Sequence, residues 1–167
     1  MDRGKLILRP MTPEDADAKG YVHWKSWQET YPGLVDAGYL SRLSVEKCQE
    51  LARRWPDNVT VAELDGKIVG FTGYGPCRDP GCESWGEVFS IYILREYQGM
   101  GIGRKLMDAA LEKLASFDTI AIWVLQGNDH AFGFYQHYGF EFDGTTAPIT
   151  IGTPNTELRL IYRRHKE

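Results

Sequence analysis

Three alternate glycines, Gly99, Gly101 and Gly103, stand between a strand-like segment and an amphipathic helical segment. Residues 88–93, just upstream, are β-branched and aromatic, as in a largely buried strand. Downstream, apolar residues recur every four positions, which predicts a helix with one buried face. The first N–H groups of a helix lack intrahelical partners, and the helix dipole adds about half a positive charge there. Because glycines let a phosphate approach those donors, residues 98–104, the glycine loop, are predicted to bind an anion.

Two common phosphate-binding motifs do not fit the glycine loop. A Walker loop requires Gly-Lys followed by Ser or Thr, whereas Gly103 is followed by Arg104 and Lys105. The dinucleotide fingerprint requires a third glycine where this chain has Arg104 or Leu106. The spacing that does fit is Gln-x-x-Gly-x-Gly, beginning at Gln98.

A second segment holds residues that could take part in a reaction. Residues 124–140 follow the spacing Val-Leu-x-x-Asn-x-x-Ala-x-x-Phe-Tyr-x-x-x-Gly-Phe. Asn128 precedes a short helical pattern, where an asparagine side chain commonly caps the helix. Tyr135 lies within that pattern, where an aromatic residue commonly packs into the core. The residue types alone therefore leave a structural and a chemical role open for both.

With the glycine loop and residues 124–140 in this order, the chain resembles the GNAT superfamily of N-acetyltransferases over nearly its whole length. The resemblance implies acetyl-coenzyme A as co-substrate and two parallel strands that splay apart to receive it. It implies that backbone N–H groups of the first of these strands bind the pantetheine arm and the thioester carbonyl. These N–H groups would stabilise the negative charge that develops on the carbonyl oxygen. The cofactor-binding residues implied are Ile91, Ile93, Gln98, Gly99, Met100, Gly101, Ile102, Gly103, Arg104, Asn128 and Tyr135.

The chemistry that this resemblance implies is direct attack of a neutral amine on acetyl-coenzyme A. The amine must lose a proton and the departing thiolate can accept one, so the site benefits from a base and an acid. By resemblance Tyr135 is the acid that protonates the sulfur. Glu87, near the start of the strand that carries Ile91, is the candidate base and a candidate contact for the acceptor. The sequence is equally consistent with a solvated carboxylate without a catalytic role. His130 and His137, two helical turns apart, are the alternative bases.

The acceptor side is predicted from the aromatic N-terminal segment. Trp27 and Tyr31 are taken as acceptor-binding residues, because aromatic faces beside acids suit a cation, although core packing would also explain them. The run 26–34 resembles the bacterial spermidine/spermine N-acetyltransferases, which favours a polyamine ahead of a protein N-terminus or an aminoglycoside. Where the family often has proline, this chain has Arg95, a candidate contact for the cofactor's 3′-phosphate. A coenzyme A sensor without turnover is the alternative function.

Composition predicts one soluble domain spanning residues 1–167, with 43% hydrophobic residues and a net charge of −4. No apolar run is long enough for a membrane span and no signal segment is visible, so we expect a cytoplasmic protein without a membrane partner. The acidic balance argues against nucleic acid. Three cysteines cannot all form disulfides with one another. Cys77 and Cys82 could supply two metal ligands, but no second Cys or His pair completes a four-ligand site, so no metal is expected. An exposed strand near the C-terminus, from Leu158 to Tyr162, would permit a homodimer.

The elements that must position these residues form an alternating pattern, which predicts an α/β fold. We expect a single mixed, mostly antiparallel sheet with a splayed parallel strand pair and helices on both faces. Asp65 and Gly66 predict a hairpin turn. The predicted strands are 5–9, 59–64, 68–74, 88–93, 120–124, 140–142 and 157–163, and the predicted helical regions are 13–31, 36–55, the stretch after Gly101, and 129–138.

Overall fold

The computed structural model describes residues 4–164 and contains one seven-stranded sheet in the order β1-β2-β3-β4-β5-β7-β6. Every neighbouring pair is antiparallel except β4 and β5, which run parallel. The mixed, mostly antiparallel sheet predicted from the sequence is therefore confirmed. The strands are β1 Leu6–Pro10, β2 Val59–Leu64, β3 Lys67–Pro76, β4 Gly86–Ile93, β5 Thr119–Leu125, β6 Glu141–Ile151 and β7 Thr153–Arg163.

Helices cover both faces of the sheet because neighbouring strand residues point in opposite directions. Val61 packs with α1 and α3 in one core cluster, whereas Ala62 packs with α4 in another. The α5 helix joins α4 over the β4, β5 and β7 strands. The helices are α1 Ala16–Thr30, α2 Ala37–Arg42, α3 Val45–Arg54, α4 Ile102–Lys113 and α5 Asp129–Tyr138. Within residues 4–164 no helix is long and apolar enough to cross a membrane.

The β4 and β5 strands are paired over a short stretch and then separate. Their register runs only from Gly86 opposite Ile120 to Val88 opposite Ile122. Beyond this stretch β4 continues to Ile93 and β5 to Leu125. The predicted splay is therefore confirmed, and it opens a gap in the middle of the sheet.

Two predicted segments differ from the structure. The region 36–55 is two helices, because Ser44 accepts a hydrogen bond from the Lys47 N–H and starts a new helix after the extended Leu43. The last two strands are 11 residues each, far longer than the predicted 140–142 and 157–163. They form a hairpin that turns at Gly152, and prolines are tolerated in it because β6 is the edge strand and Pro154 lies at the start of β7.

Candidate active site

The gap between β4 and β5 is a cleft of about 700 Å³. Its walls are the open edges of the two strands, the start of α4, one face of α5 and the C-terminal turn of α1. It brings together most of the residues predicted to bind a cofactor. Those that line it are Ile91, Ile93, Gln98, Gly99, Gly101, Ile102, Gly103, Arg104, Asn128 and Tyr135, together with Tyr31, His130 and His137 from the other predicted sets.

The glycine loop forms the cleft's polar end, where α4 begins. Gly99 and Gly101 have φ of 79° and 82°, in the left-handed region that glycine adopts at little cost. Gly101 is also the N-cap of α4, so the first free N–H groups of that helix follow it. A Cβ at Gly103 would lie 3.1 Å from the Ile93 side chain and 3.2 Å from Phe134, so the glycine allows close packing. The loop therefore exposes backbone donors and a helix dipole to the cleft, which suits an anionic group.

The open edge of β4 supplies further backbone donors. The N–H of Leu94 donates to Val69 in β3, at 3.0 Å. Because successive N–H groups of a strand point to opposite edges, those of Ile93 and Ile91 point toward the gap. The side chain of Gln98 donates to the carbonyl oxygen of Ile93 at 3.1 Å and ties the glycine loop to this edge.

Tyr135 is 7% exposed and lines the cleft, where its ring contacts those of Phe134 and Phe140. Burial raises the pKa of its hydroxyl, and the nearby Tyr92 adds to this increase. The hydroxyl therefore keeps its proton at neutral pH and can donate it to a group that gains negative charge. Asn128 starts the helix that carries Tyr135, and its side-chain oxygen accepts a hydrogen bond from the Ala131 N–H at 3.3 Å.

Glu87 is placed differently from the other predicted residues. It is 3% exposed and, among the described residues, is not one of those that line the cleft. Its Oε1 accepts a hydrogen bond from the Arg78 N–H at 3.1 Å, and its Oε2 accepts one from the Arg78 guanidinium at 3.0 Å. Phe89, two residues further along β4, does line the cleft.

The acceptor side differs in detail from the prediction. Tyr31 lines the cleft, but Trp27 lies behind it, with ring centroids 4.6 Å apart, and donates from Nε1 to the Tyr92 hydroxyl at 3.1 Å. Burial, followed by the neighbouring Tyr92, raises the pKa of Tyr31. The helix face that lines the cleft instead carries Ser26 and Thr30, one turn apart. This spacing was available in the sequence, but small polar residues gave no signal of a binding wall.

Two further predicted contacts lie at the edge of the site. Met100 is 57% exposed and, in the described part of the chain, is not among the residues that line the cleft. The Arg95 guanidinium donates to the Glu29 carbonyl oxygen, and its N–H donates to the Glu29 carboxylate at 3.1 Å. Arg95 therefore fastens the end of α1 to the residues that follow β4. Across residues 4–164 no group of three or more His, Cys, Asp or Glu side chains is arranged to hold a metal.

Comparison with known proteins connects this geometry to a family. The model of the acetyltransferase (GNAT) family matches residues 21–140. The N-acetyltransferase YuaI of Bacillus subtilis (strain 168) is 32% identical over 143 residues, which cover 81% of this chain and 80% of that protein. The spermine/spermidine N(1)-acetyltransferase of the same organism is 34% identical over 88 residues, covering 48% of this chain and 57% of that protein.

A solved structure shows the same fold. The crystal structure of PaiA N-acetyltransferase from Thermoplasma acidophilum in complex with coenzyme A superimposes with a TM-score of 0.76. The match covers 96% of this chain and 99% of that one, at 20% sequence identity. At this identity the likeness concerns the fold.

Proposed function

This chain belongs to the acetyltransferase (GNAT) family, and we propose that it transfers the acetyl group of acetyl-coenzyme A to a primary amine of a small molecule, with a polyamine as the preferred class. The observation that carries this proposal is the buried Tyr135 hydroxyl, held in one cleft with the glycine loop and the open edge of β4. The polyamine class is supported by the spermine/spermidine N(1)-acetyltransferase relative. Acids and aromatic rings beside the cleft agree with a cationic acceptor.

The residues of the cleft fit acetyl-coenzyme A, which supplies an activated thioester when bound. The glycine loop would take the pyrophosphate, because its free N–H groups and the dipole of α4 favour negative charge. The inward-pointing N–H groups of Ile91 and Ile93 would bind the pantetheine arm and the thioester carbonyl. Asn128 would contact the same arm from the start of α5.

The proposed chemistry divides between an acid and a base. Tyr135 would give its proton to the sulfur as the carbon–sulfur bond breaks, since its raised pKa keeps the hydroxyl protonated at neutral pH. The N–H groups facing the gap would stabilise negative charge on the carbonyl oxygen during attack. Glu87 would accept the proton of the amine, which requires the Arg78 side chain to move away from it.

Thiol release from acetyl-coenzyme A, measured across a panel of spermidine, short peptides and amino sugars, tests the proposed function. We expect turnover with spermidine, and we expect Tyr135→Phe to lower kcat by about a hundredfold or more, because a positioned acid contributes roughly 10²–10⁴ in rate. Acetyl-coenzyme A should bind this variant as tightly as the parent.

Tyr138→Phe is the matched control, because Tyr138 lies on the same helix but its hydroxyl donates to Asp108. We expect this variant to turn over like the parent. Unchanged kcat in Tyr135→Phe would remove the acid assignment. Tight coenzyme binding without turnover of any amine would instead favour the sensor function.

A further inference from the structure

The side chain of Arg78 is largely exposed to solvent, yet it covers the carboxylate of Glu87, the candidate base. Arg78 lies in the connection between β3 and β4, and its side chain is 68% exposed, whereas that of Glu87 is 3% exposed. The guanidinium nitrogen is 3.0 Å from Glu87 Oε2. Within the described chain, the only other hydrogen bond to this carboxylate comes from the Arg78 N–H, at 3.1 Å. Glu87 would therefore keep a backbone donor if the guanidinium left.

The same guanidinium lies over an aromatic wall of the cleft. Its central carbon is 4.1 Å from the ring centroid of Phe89, which lines the cleft next to the gap. A cation held between a buried carboxylate and a ring face has the two contacts that proteins use for ammonium groups. The Arg78 guanidinium therefore shows that the space between Glu87 and the Phe89 ring accepts a cation.

A second carboxylate, that of Glu157, lies near enough to Glu87 and Arg78 to feel their charges, and it has no hydrogen-bond donor of its own among the described residues. Glu157 pairs with the cleft residue Leu125 across the β5–β7 ladder, and no described residue donates a hydrogen bond to its side chain. Burial raises the pKa of Glu157, the nearby Asp79 and Glu87 add to this, and Arg78 opposes it. Asp79 itself is engaged, since Trp123 Nε1 donates to it at 2.9 Å.

We propose that Arg78 occupies the subsite for the acceptor's ammonium group, formed by Glu87 and the face of Phe89 with the charge of Glu157 nearby, and that a polycationic amine displaces it on binding. This inference rests on the proposed function and adds the location of the acceptor and a residue that sets its affinity. Displacement is favourable because an exposed arginine returns to water at little cost, whereas a bound polyamine places more than one positive charge near two carboxylates. Arg78 also excludes small uncharged ligands, which cannot replace its charge.

The binding of spermidine to the protein saturated with coenzyme A, measured by calorimetry, tests this assignment. A hydrogen bond to a charged group is worth about a factor of ten or more in an equilibrium constant, so removing the internal competitor should tighten spermidine binding roughly tenfold in Arg78→Gln. Arg78→Lys keeps the charge and should resemble the parent. Arg54→Gln is the control, because Arg54 is an exposed arginine paired with Glu50 on α3.

A purely structural role for Arg78 cannot produce tighter binding, so a gain in affinity supports the subsite. In a Glu87→Gln background, Arg78→Gln should no longer change spermidine binding. Unchanged or weaker binding in Arg78→Gln overturns the inference, even if turnover with spermidine is normal. Absence of turnover together with tighter binding would overturn the proposed function and leave the cation subsite standing.

Discussion

Asn128 combines a structural role and a position in the cleft. Its side-chain oxygen caps α5 through the Ala131 N–H, and the residue also lines the cleft where the pantetheine arm is proposed to bind. The two roles can be separated because other residues cap helices equally well. Serine is as good an N-cap as asparagine, but its side chain is shorter and has no amide group.

We expect Asn128→Ala to lower the free energy of unfolding by about 1 kcal/mol through loss of the cap. Asn128→Ser should restore that stability, measured by urea denaturation, while both variants bind acetyl-coenzyme A more weakly in a calorimetric titration. If the serine variant recovers binding as well as stability, Asn128 acts only as a cap.

Sequence spacing located the residues proposed to bind the cofactor better than it located the surroundings of Glu87, the proposed base. Tyr135 and Asn128 lie within one short segment, so their spacing along the chain determines their spacing in space. Glu87 was predicted on the correct strand, but its partner Arg78 lies in an irregular connection whose path no periodic pattern reveals. The exposure and pairing of Glu87 therefore required the structure.

Among the elements, the α4 helix and the glycine loop before it form the proposed anion site. Gly101 has a left-handed φ, and a Cβ there would meet no atom within 4 Å, so the chain itself leaves room for a side chain. That space is where a pyrophosphate would approach the helix. We therefore expect Gly101→Ala to weaken acetyl-coenzyme A binding more than it destabilises the fold.

The Michaelis constant for acetyl-coenzyme A should rise about tenfold or more in Gly101→Ala, because losing one charge-assisted hydrogen bond costs about 1.5–3 kcal/mol. The Michaelis constant for S-acetylpantetheine, which lacks the pyrophosphate, should stay the same. Gly144→Ala is the matched control, since Gly144 also has a left-handed φ and free space around it, but lies on β6. An equal rise for both donors would place the pyrophosphate elsewhere.

Elements were predictable where hydrophobic periodicity and turn residues agreed. The β2–β3 hairpin turns at Asp65 and Gly66 as predicted, because both adopt the positive φ that this turn requires. The β6–β7 hairpin was underestimated because Pro148 and Pro154 normally argue against strands, and because the alternating exposure of an edge strand gives a weak apolar pattern.

At the scale of the whole molecule, the cofactor cleft arises from consecutive segments, whereas the acceptor side assembles from distant ones. The strand, glycine loop and α4 follow one another, so their arrangement can be read along the chain. The acceptor side joins α1, the β3–β4 connection, β4 and β7, which meet only through the order of strands in the sheet. The sequence therefore indicated acetyl-coenzyme A but could not show that Arg78 pairs with Glu87.

An aromatic stack links the cleft to the core on the α1 side of the sheet. His23 stacks on Tyr92, with ring centroids 5.8 Å apart, and also meets Trp27 and Phe71 edge-on. Its Nδ1 is buried and has no hydrogen-bond partner within the described residues. Burial, followed by the positive charge of Lys19, lowers the pKa of His23 from 6.5 to about 4.

This lowered pKa couples the stability of the whole fold to pH. Between pH 6.5 and 4 the unfolded chain takes up a proton on His23 while the folded chain does not, so protonation favours unfolding. The stability that the neutral His23 contributes is fully present above pH 6.5 and is lost as the pH falls toward 4. Each pKa unit corresponds to about 1.4 kcal/mol, so we expect the free energy of unfolding to fall by about 2 kcal/mol between pH 6.5 and 5.

Urea denaturation at several pH values measures this fall, and His23→Leu should flatten it, because leucine has no proton to bind. The parent and His23→Leu keep the same carboxylates, including Glu157 with its raised pKa, so the difference between their slopes reports on His23. The same slope in His23→Leu as in the parent would show that the pH dependence arises elsewhere, and that the stack beneath the cleft tolerates a charged imidazole.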